Sequence, residues 1–534
     1  MLQVDRPDGG TARHTRTRPD RGWSLDLSAS SRIGATLTAL ILVSAIAPIA
    51  SLASDYDPAA DVNSMYSTTQ YTGAAAWWNA GYTGKGVDVA LIDTGVSPVA
   101  GLAGSGKIVY GPDLSFESQS PDLANLDTNG HGTFMAGIIA GRDGALTEPY
   151  ADAPASAFRG MAPDARIVSL KVGVADGGTD VSQVIAAIDW VVQHKTDGDL
   201  NIRVINLSYG TNSAQDSRVD PLAYAAEQAW DAGIVVVVAA GNHGFQNHMN
   251  NAPALADPAI DRYLLAVGAS DAAGTSNPLD DNVPAFSPWP KRGATRSVDM
   301  IAPGTHIVSL RVPNSYVDDN HPEGQVGSRY FRGSGTSESA AMVSGAAALI
   351  LQKHPDASPD QVKQFLINAA GSISGKAQAI GGGELQLGTA LVAPVLNSTQ
   401  TWPSATGTGS LGLSRGTDLV SRDGVTLTGE QDIFGHPFDS DAMAALEADG
   451  HSWSGGTWNG NSWSGSSWSG NSWSGTSWSG NSWSGNSWSG SGWSGNSWSG
   501  SSWSGNSWSG NSWSGNSWSG NSWSGDSWST AAWS

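Results

Sequence analysis

The chain has 534 residues, a formal net charge of −21 and no cysteine. The excess of acidic residues excludes a nucleic-acid partner, because phosphate binding needs clustered Lys and Arg side chains. The lack of cysteine excludes disulfides and thiolate metal sites, and the length allows one large core with appendages.

The first 53 residues have the pattern of an export signal. Six arginines lie within residues 1–32, an apolar run follows over residues 33–50, and residues 51–53 read SLA. A basic region, an apolar region and a small-residue cleavage motif are the three parts of a secretory signal peptide. The alternative is an uncleaved membrane anchor, because about 18 apolar residues can span a bilayer. We expect a secreted, extracellular protein.

Short apolar runs alternate with amphipathic patterns after residue 74. Strands are predicted over 84–96, 166–172, 202–208, 234–240 and 263–269, and helices over 181–195 and 221–233. Apolar strands that alternate with helices predict a mostly parallel sheet covered on both faces, an α/β fold. In such sheets function gathers at the carboxyl ends of the strands. Asp93, Ser208 and Asn242 lie at or just past three of these ends.

The periodicity stops near residue 394, and a polar segment leads to a tryptophan-rich tail. From Trp453 to Trp533 a tryptophan occurs at every fifth position, which accounts for 17 of the 24 tryptophans. A five-residue period suits a β-solenoid in which each repeat forms one side of a coil. A disordered spacer rich in Gly and Ser is the alternative. Tryptophan rings stack on sugars, so contact with a cell wall or a polysaccharide is a hypothesis for the tail.

Three short motifs carry residues suited to nucleophilic catalysis: LIDTG with Asp93, NGHGTFMAG with His131, and GTSESAA with Ser337. A serine hydroxyl needs a base within hydrogen-bond reach, and a third group must orient that base. A histidine titrates near neutrality and can accept and return the proton. An aspartate can hold the imidazole in one tautomer. Taken singly, each residue is as well explained as a helix cap or a surface group.

Together, in the order Asp, His, Ser, the motifs resemble the subtilisin-like serine proteases, the subtilases. The resemblance covers roughly residues 73–394. The segments KVGVADGG (171–178), VINLSYG (204–210), VVAAGNHG (237–244), AFS (285–287) and DMIAPG (299–304) resemble further landmarks of that family, in the same order. The resemblance implies a three-layer subtilisin-like fold and a monomeric serine endopeptidase that cleaves polypeptides through an acyl-enzyme on Ser337. It implies no cofactor for the chemistry.

The resemblance also implies the rest of the site. Asn242 matches the residue whose amide donates to the oxyanion, although turn geometry is an alternative role. An extended peptide is expected to lie between two backbone edges, where main-chain hydrogen bonds give broad specificity. The matching positions are Gly177 and Gly178 on one side and Ser208, Tyr209 and Gly210 on the other.

The sequence departs from the family pattern directly after the nucleophile. Glu338, Ser339 and Ala341 stand where the family usually has Met, Ala and Pro. We interpret Glu338 as a first-turn residue that the helix dipole stabilises by about 0.3–1 kcal/mol. On that interpretation Glu338→Gln loses a little stability and keeps most activity. The alternative is a carboxylate that acts in catalysis, favouring the histidine cation and opposing the negative intermediate.

These observations predict the domain organisation: signal peptide 1–53, short segment 54–74, catalytic domain 75–394, polar linker 395–450 and repeat 451–534. Residues 54–74 are too few for a folded propeptide, so we expect folding without one. The acidic composition permits structural calcium, but no loop has the regular oxygen ligands that would assign a metal site. The rival function is surface adhesion or cell-wall binding with the protease fold as a scaffold. A scaffold has no need for an intact catalytic set.

Overall fold

The computed structural model describes residues 56–534 apart from 121–122, 246–253, 292–293, 295, 423–424, 455, 463–466, 470–471, 525–526 and 534. For residues 461–534 only the backbone is described. The predicted signal peptide lies outside the described residues. In the described ranges no helix has both the length and the apolar composition that crossing a bilayer requires.

The elements of the described chain follow in sequence order. The strands are β1 (Asp88–Asp93), β2 (Ile108–Asp113), β3 (Arg166–Lys171), β4 (Ile202–Leu207), β5 (Val235–Ala239), β6 (Leu265–Ser270), β7 (Met300–Pro303), β8 (Ile307–Leu310), β9 (Gln325–Val326), β10 (Tyr330–Gly333), β11 (Ser421–Arg422), β12 (Val425–Thr426), β13 (Trp453–Ser454), β14 (Thr457–Trp458), β15 (Asn461–Ser462), β16 (Ser467–Ser469), β17 (Ser472–Ser524) and β18 (Ser527–Trp533). The α-helices are α1 (Met65–Tyr71), α2 (Ala74–Asn79), α3 (His131–Ala140), α4 (Val181–His194), α5 (Pro221–Asp231), α6 (Tyr316–Asn320), α7 (Thr336–Lys353), α8 (Pro359–Ala369), α9 (Ala377–Ile380), α10 (Leu411–Ser414) and α11 (Ser440–Ala448).

A seven-stranded parallel sheet in the order β2-β3-β1-β4-β5-β6-β7 forms the centre of the molecule. All residues of β1 and β5 are buried; β5 is entirely apolar, and β1 is apolar between Asp88 and Asp93 at its two ends. Helices α3 and α7 pack on each other and on the sheet, as do α4 and α5. The predicted α/β fold with a mostly parallel sheet and helical layers is confirmed.

The helix ends agree with the local sequence. Asp180 caps α4 in a capping box with Gln183, and Asp220 caps α5, whose first residue is Pro221. Such caps satisfy backbone N–H groups that have no partner within the helix. The predicted helices over 181–195 and 221–233 therefore form nearly as expected.

Strand register places the candidate residues at one edge of the sheet. Asp93 is the last residue of β1 and pairs with Lys171, the last residue of β3. Leu207 ends β4, so Ser208 follows directly, and Leu207 pairs with Val238 near the end of β5. The carboxyl ends of adjacent parallel strands thus meet at one edge of the sheet, as the pattern predicted.

The segment predicted as a linker and the first two tryptophans of the predicted repeat pack on the α4–α5 side of the fold. Leu411, Arg415 and Trp458 are each fully buried. The Trp458 indole donates to Asp189 Oδ2 of α4 at 2.7 Å, and the Trp453 indole donates to the carbonyl of Ala186 at 2.8 Å. The few large side chains of this segment are spaced far apart in a polar sequence, so no sequence periodicity predicts this packing.

The tail forms parallel β-structure. β17 pairs in parallel with β16 and β18, and Ser467 pairs with Ser482 as Ser512 pairs with Ser527. Paired residues therefore lie three repeats apart. The packing of the tryptophan side chains lies outside the described part of the tail, so the solenoid stays a prediction.

Candidate active site

Asp93 and His131 form a buried, hydrogen-bonded pair. His131 is the first residue of α3, and its Nδ1 lies 2.7 Å from Asp93 Oδ1 at the end of β1. An ionised carboxylate only accepts, so Nδ1 carries the proton and Nε2 keeps its lone pair. Nε2 is buried and has no hydrogen-bond partner among the described residues. The imidazole is thus held in the tautomer that a general base requires.

Close backbone contact between α3 and β1 makes this pair. A side chain on Gly132 would collide with the carbonyl oxygen of Gly95 and stand 3.2 Å from Asp93 Oδ1. Thr94 Oγ1 accepts from the Gly132 N–H at 2.9 Å. Glycine after His131 is therefore a packing requirement, because only a residue without Cβ allows α3 to begin this close to β1.

Asp127 is a site residue that the sequence reasoning missed. Its Oδ1 accepts from the Gly130 N–H at 2.7 Å and from Thr94 Oγ1 at 2.8 Å, and its Oδ2 accepts from the Thr133 N–H at 2.7 Å. Burial raises the pKa of this carboxyl, and these hydrogen bonds oppose the rise. Asp127 fixes the turn that presents His131. An acidic residue four positions before a helix-opening histidine was the available signal.

Ser337 lies in the first turn of α7. It is buried, and Ser208 Oγ donates to its carbonyl at 3.4 Å. The same turn is held because Ser339 Oγ donates to the Ala302 carbonyl of β7 at 2.8 Å. Helix α7 packs on α3, which begins with His131, but His131 Nε2 accepts no hydrogen bond from Ser337 Oγ.

Asn242 is held by the residue that precedes the nucleophile. Its Oδ1 accepts from the Thr336 N–H at 2.9 Å and from Thr336 Oγ1 at 3.1 Å. Because the oxygen accepts these two bonds, Nδ2 faces the space beside Gly335. A Cβ on Gly335 would stand 3.2 Å from Nδ2. The amide is therefore pre-oriented as a donor next to Ser337, the geometry that an oxyanion site needs.

The residues predicted to form the substrate edges follow β3 and β4 and lie near this centre. Gly177 follows β3 with φ of 84°, and its missing Cβ would stand 3.7 Å from Asn129 Nδ2, two residues before His131. Gly178 lies next to it. In the other predicted edge Ser208, Tyr209 and Gly210 follow β4, and Ser208 bonds to Ser337. The Tyr209 hydroxyl is buried. Burial raises its pKa, and the negative charge of Asp180 raises it further.

Glu338 lies in the first turn of α7, as predicted, but it is almost fully buried. Its Oε1 has no hydrogen-bond partner within the described structure. Burial raises the pKa of this carboxyl, and the charge of His131 opposes that rise. Within the described residues no group of three or more His, Cys, Asp or Glu side chains could hold a metal ion.

Comparison with known proteins identifies related chains. Serine protease AprX of Bacillus subtilis is 38% identical over 293 residues, which cover 54% of this chain and 61% of that protein. Subtilisin BL of Lederbergia lenta is 32% identical over 302 residues, 56% of this chain and 89% of that protein. Subtilisin DY of Bacillus licheniformis is 31% identical over 290 residues, 54% of this chain and 85% of that protein.

The match therefore spans less than two thirds of AprX and most of each subtilisin. The model of the subtilase family matches residues 84–409, which include Asp93, His131, Asn242 and Ser337. The chain belongs to the subtilase family, the subtilisin-like serine endopeptidases.

Proposed function

We propose that the chain is an exported endopeptidase that hydrolyses peptide bonds through an acyl-enzyme on Ser337. The observation that carries the proposal is the buried pair of His131 and Asp93, with Nδ1 and Oδ1 2.7 Å apart and Nε2 without a hydrogen-bond partner in the part of the chain that the structure describes. A histidine that serves only as a helix cap has no need of a buried carboxylate at Nδ1. The N-terminal signal pattern supports export.

The chemistry runs in two halves. Ser337 Oγ attacks the scissile carbonyl carbon, His131 Nε2 takes the hydroxyl proton, and Asp93 stabilises the imidazolium. The tetrahedral intermediate collapses when His131 gives that proton to the leaving amine, and the C–N bond breaks. Water then enters, gives a proton to His131 and attacks the acyl carbon. The second collapse releases the acid and returns the proton to Ser337.

The remaining residues bind substrate and stabilise charge. Asn242 Nδ2 donates to the oxyanion of both intermediates. An extended polypeptide lies between the edge at Gly177 and Gly178 and the edge at 208–210, and main-chain hydrogen bonds hold it with broad specificity. No cofactor takes part in these steps.

Covalent labelling tests the proposal. We expect a phosphonofluoridate to modify the folded full chain at Ser337, as shown by peptide mapping. Ser337→Ala should abolish labelling, and His131→Ala should slow it strongly because the hydroxyl loses its base. Ser339→Ala is the matched control, since it removes a hydroxyl from the same helical turn. A folded chain with an unlabelled Ser337 would favour the adhesion scaffold instead.

For the tail we propose attachment to a cell wall or polysaccharide. The five-residue tryptophan repeat and its parallel pairing present a regular array along the tail. We expect the full chain to be retained on insoluble peptidoglycan or polysaccharide, and a chain ending at residue 460 to pass through. Equal retention of the two chains would refute attachment by the repeat without touching the protease assignment.

A further inference from the structure

Glu338 is buried next to the proposed nucleophile, and a favourable interaction with the helix dipole does not explain this burial. Only 1% of the residue is exposed, and its Oε1 has no hydrogen-bond partner within the described structure. A first-turn acid that merely interacts with the helix dipole gains as much at the surface, where water solvates it. A buried oxygen without a partner costs free energy unless a ligand completes it.

The carboxyl group lies near the amide that we propose as the oxyanion donor. A Cβ on Gly335 would stand 2.8 Å from Glu338 Oε2 and 3.2 Å from Asn242 Nδ2. The two side chains therefore border the same small space next to Ser337. The backbone of Gly335 is extended, a conformation that any residue can adopt. The glycine is therefore needed for space, because a side chain at this position would fill it.

Burial raises the pKa of Glu338 and so favours its neutral form, while the charge of His131 opposes that rise. Among the described residues, the titratable groups that face it are His131 from α3 and Asp93 from β1, and the loop after β5 contributes the neutral amide of Asn242. A neutral carboxylic acid has an O–H donor, whereas a carboxylate can only accept. Carboxylic acids that burial keeps neutral serve other enzymes as oxyanion donors.

We propose that Glu338, in its protonated form, donates a hydrogen bond to the oxyanion of the tetrahedral intermediate alongside the amide of Asn242. This inference rests on the proposed peptidase function and assigns a further catalytic residue to that site. The acid keeps its proton, so no additional transfer step is needed. As solution pH rises and Glu338 ionises, the donor is lost and a negative charge faces the oxyanion.

Two substitutions separate this role from a structural one. Glu338→Gln keeps an N–H donor that cannot ionise, so we expect it to retain most of the kcat near pH 6 and to lose the alkaline decline of kcat. Glu338→Met has similar length but no donor. Since loss of one oxyanion donor from subtilisin lowers kcat about 10²–10³-fold, we expect a loss of about 10–100-fold near pH 6 with little change in KM. The measurement is a pH profile of kcat and KM for a peptide anilide.

Glu447→Gln is the matched control, because Glu447 is also a buried glutamate with an unpartnered Oε1 and lies on α11. It should leave the shape of the pH profile unchanged. A Met variant with the kcat of the parent near pH 6 would overturn the inference, as would an alkaline decline that persists in the Gln variant. If the Met variant does not fold, the Gln profile decides alone. Failure of the peptidase proposal is separate, because Ser337 in the parent would then remain unlabelled by the phosphonofluoridate.

Discussion

At the scale of single residues, the site is built by side chains that hold backbone turns. Asp127 accepts hydrogen bonds from the N–H groups of Gly130 and Thr133, which flank His131. Thr336, next to Ser337, holds the amide oxygen of Asn242. The catalytic groups are therefore positioned by neighbours that take no part in the chemistry. In the proposed mechanism this arrangement directs His131 Nε2 and Asn242 Nδ2 at the substrate.

Asn242→Asp isolates the donor function of the amide. The aspartate retains an oxygen that accepts from the Thr336 N–H, so the melting temperature should stay close to that of the parent. It loses the Nδ2 donor and adds negative charge, so kcat should fall by at least about 10²–10³-fold. Steady-state kinetics and thermal unfolding measure both effects.

Asn242→Ala is the comparison for that variant, because it removes the acceptor as well as the donor. We expect it to lower both kcat and the melting temperature. An aspartate variant that keeps the parent kcat would show that the Asn242 amide does not contact the oxyanion.

At this scale the sequence predicts which residues form the site better than it predicts their burial and contacts. The motifs around Asp93, His131 and Ser337 supply the proposed triad, because each combines a reactive residue with the small residues that close packing needs. The burial of Glu338 is not predictable, because it depends on Asn242 from a distant loop closing over the same space. Asp127 was overlooked because its role depends on the turn that it holds.

At the scale of elements, the segment after residue 394 is part of the packed structure. The Arg415 guanidinium is fully buried against Asp180, the N-cap of α4, with Nε 2.6 Å from Oδ2. It also donates to the carbonyls of Gly429 and Gln431. One side chain thereby joins the predicted linker to the helix that covers the sheet.

Arg415→Leu should therefore destabilise the whole molecule. Removing one partner of a buried ion pair leaves an uncompensated charge at Asp180, which lowers the free energy of unfolding by about 3–5 kcal/mol. Urea unfolding measures the change. The double variant Asp180→Asn with Arg415→Leu should recover part of the loss, because no buried charge remains.

Arg218→Leu is the matched control for that experiment. Arg218 pairs with Asp216 at the surface, where solvent screens the interaction, so the free energy of unfolding should hardly change. If Arg415→Leu loses no more stability than this control, the segment is a peripheral attachment.

At the scale of the whole molecule, burial shifts the pKa values of many ionisable groups in the direction that favours their neutral forms. Burial raises the pKa of Asp189 to about 7, of Glu384 to about 8 and of Glu227 to about 9. It lowers the pKa of Lys107 to about 7 and of Lys363 to about 8. The two sets affect stability in different pH windows, since unfolded carboxyls titrate near 4 and unfolded lysines near 10.4.

We expect the free energy of unfolding to fall as pH rises from 5 to 7. In this window the folded state holds protons on Asp189, Glu384 and Glu227 that the unfolded state has lost, so stability declines with pH. Lys107 and Lys363 act above pH 7, where their unfolded forms bind more protons than their folded forms. Their contribution to the free energy of unfolding therefore rises with pH and offsets the decline caused by the carboxyls. Urea unfolding at several pH values measures the slope.

Glu384→Gln should reduce that slope, because the amide cannot titrate. The exposed Glu323 is the matched control, and Glu323→Gln should leave the slope unchanged. Stability that rises between pH 5 and 7 in the parent would contradict the assignment of neutral buried carboxyls.

We propose that lysine ammonium groups, rather than calcium, hold the converging carbonyls of this fold. Lys171 is fully buried and donates to Glu117 Oε2 at 2.6 Å and to the Leu126 carbonyl at 2.5 Å. Lys107 donates to the carbonyls of Pro163 and Ala165 at 2.7 and 2.8 Å. A chelator should therefore leave the melting temperature unchanged, and Lys171→Met should lower it.

Thermal unfolding with EDTA, and again with added calcium, measures this dependence. A fall in melting temperature with EDTA that calcium restores would establish a structural calcium site and refute the proposal. The test is independent of catalysis, because the chemistry proposed for Ser337 uses no metal.

Local sequence patterns predicted the alternation of strands and helices, the sheet edge at which Asp93, Ser208 and Asn242 lie, and the residues of the proposed triad. These features depend on local periodicity and on motifs of a few residues. Tertiary structure alone decided the burial of Glu338 beside Asn242, the anchoring of the segment after residue 394 by Arg415 and Trp458, and the lysines that hold carbonyl groups. Each of these depends on contacts between residues far apart in the chain, and local patterns do not encode such distances.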